Sequence, residues 1–546
     1  MLTADPDADL EGALDDWRAF RRKKRVADIH WIDAFYQAYL TGILGLIAVA
    51  VVASFVGDEA ITTAQVHQVR ADGPAWVGLL AAFAVALGLR SGSRGGPLAL
   101  ERAEVRHVLL APVDRTSALR APAIRQLRFL AFVGLVGGGI AGYLATHRLP
   151  GTEPAWIATG ALAGLTLVGL ATGTALVTSG LHVPRWAASA TGVLLVAAAV
   201  ADGTDVLGWS PTSVFGDLVL WPLRFRLDGV VPVLLALGLV LVGLALLGRT
   251  SLEAAERRSS LVGQLRFAAT MQDLRTVIVL RRQLAMELPR LRPWVRLSLR
   301  GAGRLSVFTR GLRGLLRWPA ARLARLVLLA VVAGLSLRGA WTGTSPLVVL
   351  AGLAMFLAGL DAVEPLAQEV DHPSRRDASP RPAAEIHLLH VPVAVLTMLA
   401  TAAVAAAVAG GPGPGHLPAD LAGACLLPLA LGGLGGALVS LLGGAVSMSE
   451  GWSLAPPEAQ GMRLAFRTAW PPAIAVIGAT PVLAARSALD SGKEALDGAL
   501  PLVAAVVALF ALIAAWVRVR DDIAAWFKAS MDMAQEQQKE RVRTTG

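Results

Sequence analysis

The chain has 546 residues, 55% of them hydrophobic and only 16% charged, with a mean hydropathy of +0.57 and a formal net charge of +10. Soluble globular domains carry about 25% charged residues, so a soluble enzyme or binding domain is excluded, and the single cysteine, Cys425, excludes an intrachain disulfide. The positive balance reads as basic loops facing anionic lipid rather than as nucleic-acid binding.

Residues 1–35 are acidic and then basic, with no signal-peptide cleavage pattern, and are expected to stay cytoplasmic. Charge-free apolar blocks of roughly 18 residues or more read as transmembrane helices. Six such spans are predicted in the first half of the chain, at 36–57, 75–90, 129–147, 155–179, 186–201 and 229–248. A basic helical bridge, 249–322, follows. Six further spans are predicted at 323–340, 345–361, 391–410, 421–448, 470–486 and 498–517, and 518–546 forms a tail. The fold class is therefore all-α and polytopic, with about twelve helices in two six-helix halves (36–248 and 323–517). With the N-terminus inside, 43 Lys and Arg fall on the cytoplasmic side and 7 on the other. That asymmetry supports both the count and the orientation, with both termini cytoplasmic.

The halves read as a tandem repeat. Each opens with an amphipathic stretch. In "GAGRLSVFTRGLRGLLRW", Leu305, Phe308, Leu312 and Leu315 fall three or four apart, while Arg304, Arg310, Arg313 and Arg317 fill the other faces. Such a helix suits the membrane interface. Each half then has two spans, a long charged loop and four more spans. The loops share Pro97-Leu98-Ala99 and Pro365-Leu366-Ala367 just after a span.

In the first loop, "PLALERAEVRHVLLAPVDR", Val105, Val108 and Leu109 form one strip of a short helix. Pro112 ends that helix, and Asp114 is placed to cap the next short one. In the second, Glu369, Asp371, His372, His387 and His390 lie on one loop made irregular by Pro373, Pro380 and Pro382. Carboxylate and imidazole together can hold a divalent metal, but this spacing matches no standard motif. The outside loop 201–229 carries Trp209, Phe215, Trp221 and Phe225 and is open to two readings: re-entrant helices or an ordinary interfacial loop. Small residues every fourth position (Gly134, Gly138 and Gly142; Gly432, Gly436, Ser440 and Gly444) point to close helix packing. The tenth block, with Pro428, is long enough to be broken or tilted.

No P-loop is present. The one Gly-Lys pair, Gly492-Lys493, is followed by Glu494 rather than Ser or Thr. No predicted span has an ionisable residue near its middle, which counts against an ion-driven transporter and an intramembrane hydrolase alike.

Taken together, six-span halves, an amphipathic helix before each half, the charged loop "GGPLALERAEVRHVLLAPVDR" between spans two and three, and an aromatic segment between spans five and six resemble the permease subunits of ABC-2-type ATP-binding cassette exporters. The short loop 487–497 in the second half departs from that pattern. The resemblance implies a plasma-membrane exporter of apolar or amphipathic compounds with no catalytic site, cofactor or metal of its own. ATP and Mg would be bound by partner P-loop ATPases, two per chain. Glu101, Glu104, Arg106, Asp114, Arg115, Glu364, Glu369 and Asp371 are the residues expected to couple to them. A secondary transporter working without ATP, or a membrane-anchored assembly or sensor protein, are the alternatives.

Overall fold

The computed structural model describes residues 61–251, 292–295, 305–443 and 469–545, except 99, 101–104, 106–108, 110–113, 205, 373, 375–379 and 412–414, with a few single positions elsewhere. All regular structure among them is helical. The chain divides into two units, Met1–Leu280 and Arg281–Gly546, at a point within the expected bridge.

In the first unit the helices are α1 (Thr63–Gly92), α2 (Arg115–Thr146), α3 (Glu153–Gly180), α4 (Arg185–Gly203), the short α5 (Ser213–Val219) and α6 (Val230–Ala245). The second unit has α7 (Leu305–Leu315), α8 (Ala320–Trp341), α9 (Leu347–Ala362), the short α10 (Glu364–Asp371), α11 (Ala383–Gly410) and α12 (Ala419–Leu442). It ends with α13 (Ala469–Ile477), α14 (Pro481–Asp490) and α15 (Ala495–Thr545). Nine described helices are long and apolar enough to cross a membrane, or up to eleven if each bent pair, α9–α10 and α13–α14, counts as one span. The chain is an all-α, multi-pass membrane protein. Eleven of the twelve predicted spans coincide with these helices; the first, 36–57, lies outside the described residues.

The helices run past the apolar blocks that announced them. α1 begins twelve residues before the predicted span at 75 and is closed by a reciprocal cap: Thr62 accepts from the Gln65 amide, and Gln65 accepts from the Thr62 amide. α2 begins at Arg115, so Asp114 caps the long third span and not a separate short helix. α15 continues for 51 residues into the expected tail. Of the two possibilities for the tenth span, a break is not found within α12. α12 is continuous to Leu442 with Pro428 inside it. The bend falls instead in the eleventh span, by 45° before Pro481. There Gly478 lies against the Pro428 backbone, and proline at the start of a helix costs no hydrogen bond.

Four pairings of spans recur in the two units, while among the described residues α14 on α15 is found in the second unit alone. α1 packs on α3 and α4, α2 on α3, and α3 on α6. Six spans later, α9 packs on α12 and, through Gly352 against Val476, on α13; α11 packs on α12, and α12 on α15. The fourth span of each half is thus the central one, and 78% of the apolar window of α12 is buried. Glycine makes these approaches possible. A Cβ on Gly138 would lie 2.1 Å from the Gly160 carbonyl oxygen, and one on Gly142 would lie 2.1 Å from that of Trp156. Gly88 meets Ala171 and Thr174 of α3 as Gly359 meets Gly433 and Ala437 of α12.

Arginine closes several helix ends in the second unit. The last carbonyls of a helix have no partner within it. Arg338 donates to the Ala409 carbonyl at 3.2 Å, Arg486 to that of Ala340 at 3.4 Å and Arg520 to that of Leu442 at 2.6 Å. Each satisfies a carbonyl on a neighbouring helix and sets a positive charge at its negative dipole end.

Candidate functional site

The segment joining the second and third spans is where the charged residues gather in both units. In the first unit, Glu101, Glu104 and Arg106 lie outside the described residues. Of the predicted apolar strip, Val105 and Leu109 are buried with Leu100 against Ala118, Leu119, Ala123, Leu176 and Leu247, so this loop is folded back onto its own helices; Val108 is not among the described residues. Gln126 of α2 ties it down by donating to the Pro97 carbonyl at 2.8 Å. Asp114 and Arg115 are exposed at the start of α2. The Ser117 amide, 2.9 Å from the Asp114 carboxylate, holds that carboxyl below its ordinary range. At the end of α1, burial and the nearby Arg90 and Arg185 lower Arg94.

The second unit builds a denser cluster. α9 ends at Ala362 and the chain bends by 57° into α10, which Pro365 starts. Leu366 and Ala367 of the shared Pro-Leu-Ala segment are buried in the main core. α10 is amphipathic, and the face it turns inward carries Glu364 and Glu369, exposed by only 3% and 4%. Buried carboxylates need cations, and two helices supply them. Arg325 of α8 reaches Asp361 at 3.0 Å, and Arg322 lies 3.9 Å from Glu364. Arg310 of α7 pairs with Glu369. α7, the expected interfacial helix, is thereby held against α11, where Gly311 contacts Val393. Arg322 also stacks over Trp318 at 4.9 Å.

His387 and His390 are not loop residues. α11 starts eight residues before the predicted span, which places both inside the bundle, 0% and 5% exposed. His390 Nε2 is 3.7 Å from the Glu369 carboxylate. Of the residues considered for a metal, Glu369 and His390 meet, Asp371 ends α10, and His372 is exposed. Among the described residues no group of three His, Cys, Asp or Glu is placed to hold a metal ion. Of the predicted coupling residues, Glu364 and Glu369 point into the bundle, while Asp371 is half-buried at the end of α10. The participation of Arg322, Arg325 and Asp361 was not foreseen, because each stood at a span end where charge is ordinary.

At the other end of the first unit, α5 lies in the 201–229 segment. Phe215 and Leu218 are buried, and Gly216 sits against Pro74 of α1. Asp217 is buried beside Arg224 and Arg226, whereas Trp209 and Phe225 are exposed. The 201–229 segment thus holds one short α-helix, α5, packed against α1.

Comparison with protein-family models, with curated proteins and with solved structures finds no match to this chain.

Proposed function

We propose that the chain is the membrane-spanning permease subunit of an ATP-binding cassette exporter of the ABC-2 type, moving an apolar or amphipathic compound across the plasma membrane. Separate cytosolic P-loop ATPases supply the energy, and both termini and the two segments between the second and third spans of each half face them. The observation that carries this reading is the repetition of one helix-pairing scheme in two units. It is joined in each unit by a segment folded back after the second span. A device that must respond to two power strokes needs two receiving surfaces of one design. In the second unit this segment, α10, is short, charged and follows α9 at a 57° bend, so a push on it is transmitted to a helix.

The test is purification of the full chain with its partners. A P-loop ATPase is expected to co-purify, and compound-stimulated ATP hydrolysis by the complex is expected to fall when Glu104, Arg106 and Asp114 are replaced together by alanine. A chain that exports normally with the triple substitution and no ATPase would refute the proposal.

One observation favours a second reading, a secondary transporter. His387, His390, Glu364 and Glu369 are titratable groups buried in a helix bundle, the setting in which ion-coupled carriers keep their relay. Transport by the chain alone in proteoliposomes, driven by a pH gradient without ATP, would establish it.

A further inference from the structure

A buried imidazole ordinarily has a hydrogen bond. His390 is 95% buried, and neither ring nitrogen has a hydrogen-bond partner among the described residues. Its Nε2 lies 3.7 Å from Glu369, too far for a hydrogen bond and close enough for an ion pair. The same oxygen of Glu369 is taken by Arg310. Arg310 belongs to a peripheral helix and its side chain is 52% exposed, so water can receive it. Glu369, at 6%, cannot leave.

We propose that Glu369 and His390 form a proton-binding site whose occupancy is exchanged against the seating of helix α7 through Arg310. With the guanidinium in place, a proton on His390 would set a second cation beside one carboxylate oxygen, so proton and guanidinium compete. When Arg310 swings into water, one proton passes from water to the imidazole. The resulting imidazolium pairs with Glu369 in its place, and the buried carboxylate is never without a cation. Charge inside the bundle is unchanged by the exchange; what changes is whether α7 is attached. By linkage, whatever detaches α7 takes up a proton, and acid detaches α7. This holds whether the chain is driven by ATP or by an ion gradient.

The charged groups on the elements packed around α11 at this end are few. α7 brings Arg310 and Arg313, α8 Arg322 and Arg325, α9 Asp361, and α10 Glu364, Glu369 and Asp371. α11 itself has Glu385 and His387. α12 brings no charged residue here. α15 brings Arg518, Arg520, Asp521 and Asp522, with Arg520 held on the Leu442 carbonyl and on Asp521. Of the three arginines paired with buried carboxylates, Arg310 is the most open to water, at 52% against 13% for Arg322 and 28% for Arg325.

The test is a nitroxide label on Gly314→Cys, a position on α7 with no described atom near its Cβ site, in the otherwise full-length chain in lipid nanodiscs. Its mobility is followed from about pH 8 to about pH 4.5, the range in which imidazoles exchange protons. The label is expected to be restrained at high pH and released at low pH. Release is expected to be lost in His390→Gln. In Arg310→Gln the label is expected to be mobile at every pH, with retained tryptophan fluorescence showing that the second unit stays folded. An unchanged label in the parent protein, a pH transition that persists in His390→Gln, or a label still restrained in Arg310→Gln would each overturn the proposal.

Discussion

Two consecutive glycines on α2 should respond oppositely to the same substitution. A Cβ on Gly138 would lie 2.1 Å from the Gly160 carbonyl oxygen and 3.0 Å from the Gly164 Cα, both backbone atoms of α3. An ordinary carbon contact is about 3.5–4.0 Å, so Gly138→Ala forces the helices apart by about 1 Å or more at the centre of their contact. Gly137, one residue earlier, meets no described atom within 4 Å, and Gly139 meets Ala161 only at 3.8 Å. Alanine raises helix propensity at all three positions by about 0.5–1 kcal/mol, and that gain cancels in the comparison. The remaining difference is the cost of overpacking, about 1–3 kcal/mol. Unfolding of the full chain in mixed micelles by a denaturing detergent, followed by tryptophan fluorescence, would read it. Trp156 lies in the α2–α3 contact, 2% exposed, and reports on it directly. Gly138→Ala should unfold at lower detergent fraction than the parent, and Gly137→Ala at an equal or higher one. If the two variants unfold together, close α2–α3 packing is not what these glycines provide.

Three further outcomes are expected. Arg310→Ala should destabilise the second unit more than Glu369→Gln, by about 2 kcal/mol at most after allowing for the half-exposed arginine. The first leaves a buried carboxylate short of its guanidinium, while the second frees a cation that water can solvate; thermal unfolding of the two variants gives the order. Asp114→Ala should cost about 1 kcal/mol by loss of the cap. Because the folded carboxyl sits below its ordinary value, this stabilisation is present above about pH 4 and fades as the pH falls through the lowered value; amide exchange at Ser117 should show it, and Asp114→Asn should keep the cap without the pH dependence. Cys425, 2% exposed in α12, should resist maleimide in the folded protein and react on unfolding, so its labelling rate reports on the second unit alone.

The spans were legible in the sequence because lipid leaves a chain little choice. A backbone crossing a bilayer must satisfy its own hydrogen bonds, and the helix that does so must be apolar. The same economy made the repeat visible, since both halves place Pro-Leu-Ala after the second span. Helix boundaries were less legible. Arg115–Arg128 and Ala383–His390 are too polar to read as membrane, yet they are the first turns of α2 and α11. Hydropathy measures what lipid tolerates, whereas a helix continues for as long as caps and neighbours support it.

Charge was read correctly as lying at span ends and wrongly as lying outside the bundle. Nothing in the spacing of Asp361, Glu364, Glu369, His387 and His390 tells which of them face inward. That depends on the 57° bend after Ala362 and on which helices stand beside α11. Composition and hydropathy alone determined that the chain is a helical, multi-pass membrane protein, because those properties are local and the bilayer is uniform. Only the tertiary structure decided that Arg310, Arg322 and Arg325 meet three buried carboxylates, because an ion pair between residues up to 59 apart exists through packing and not through sequence.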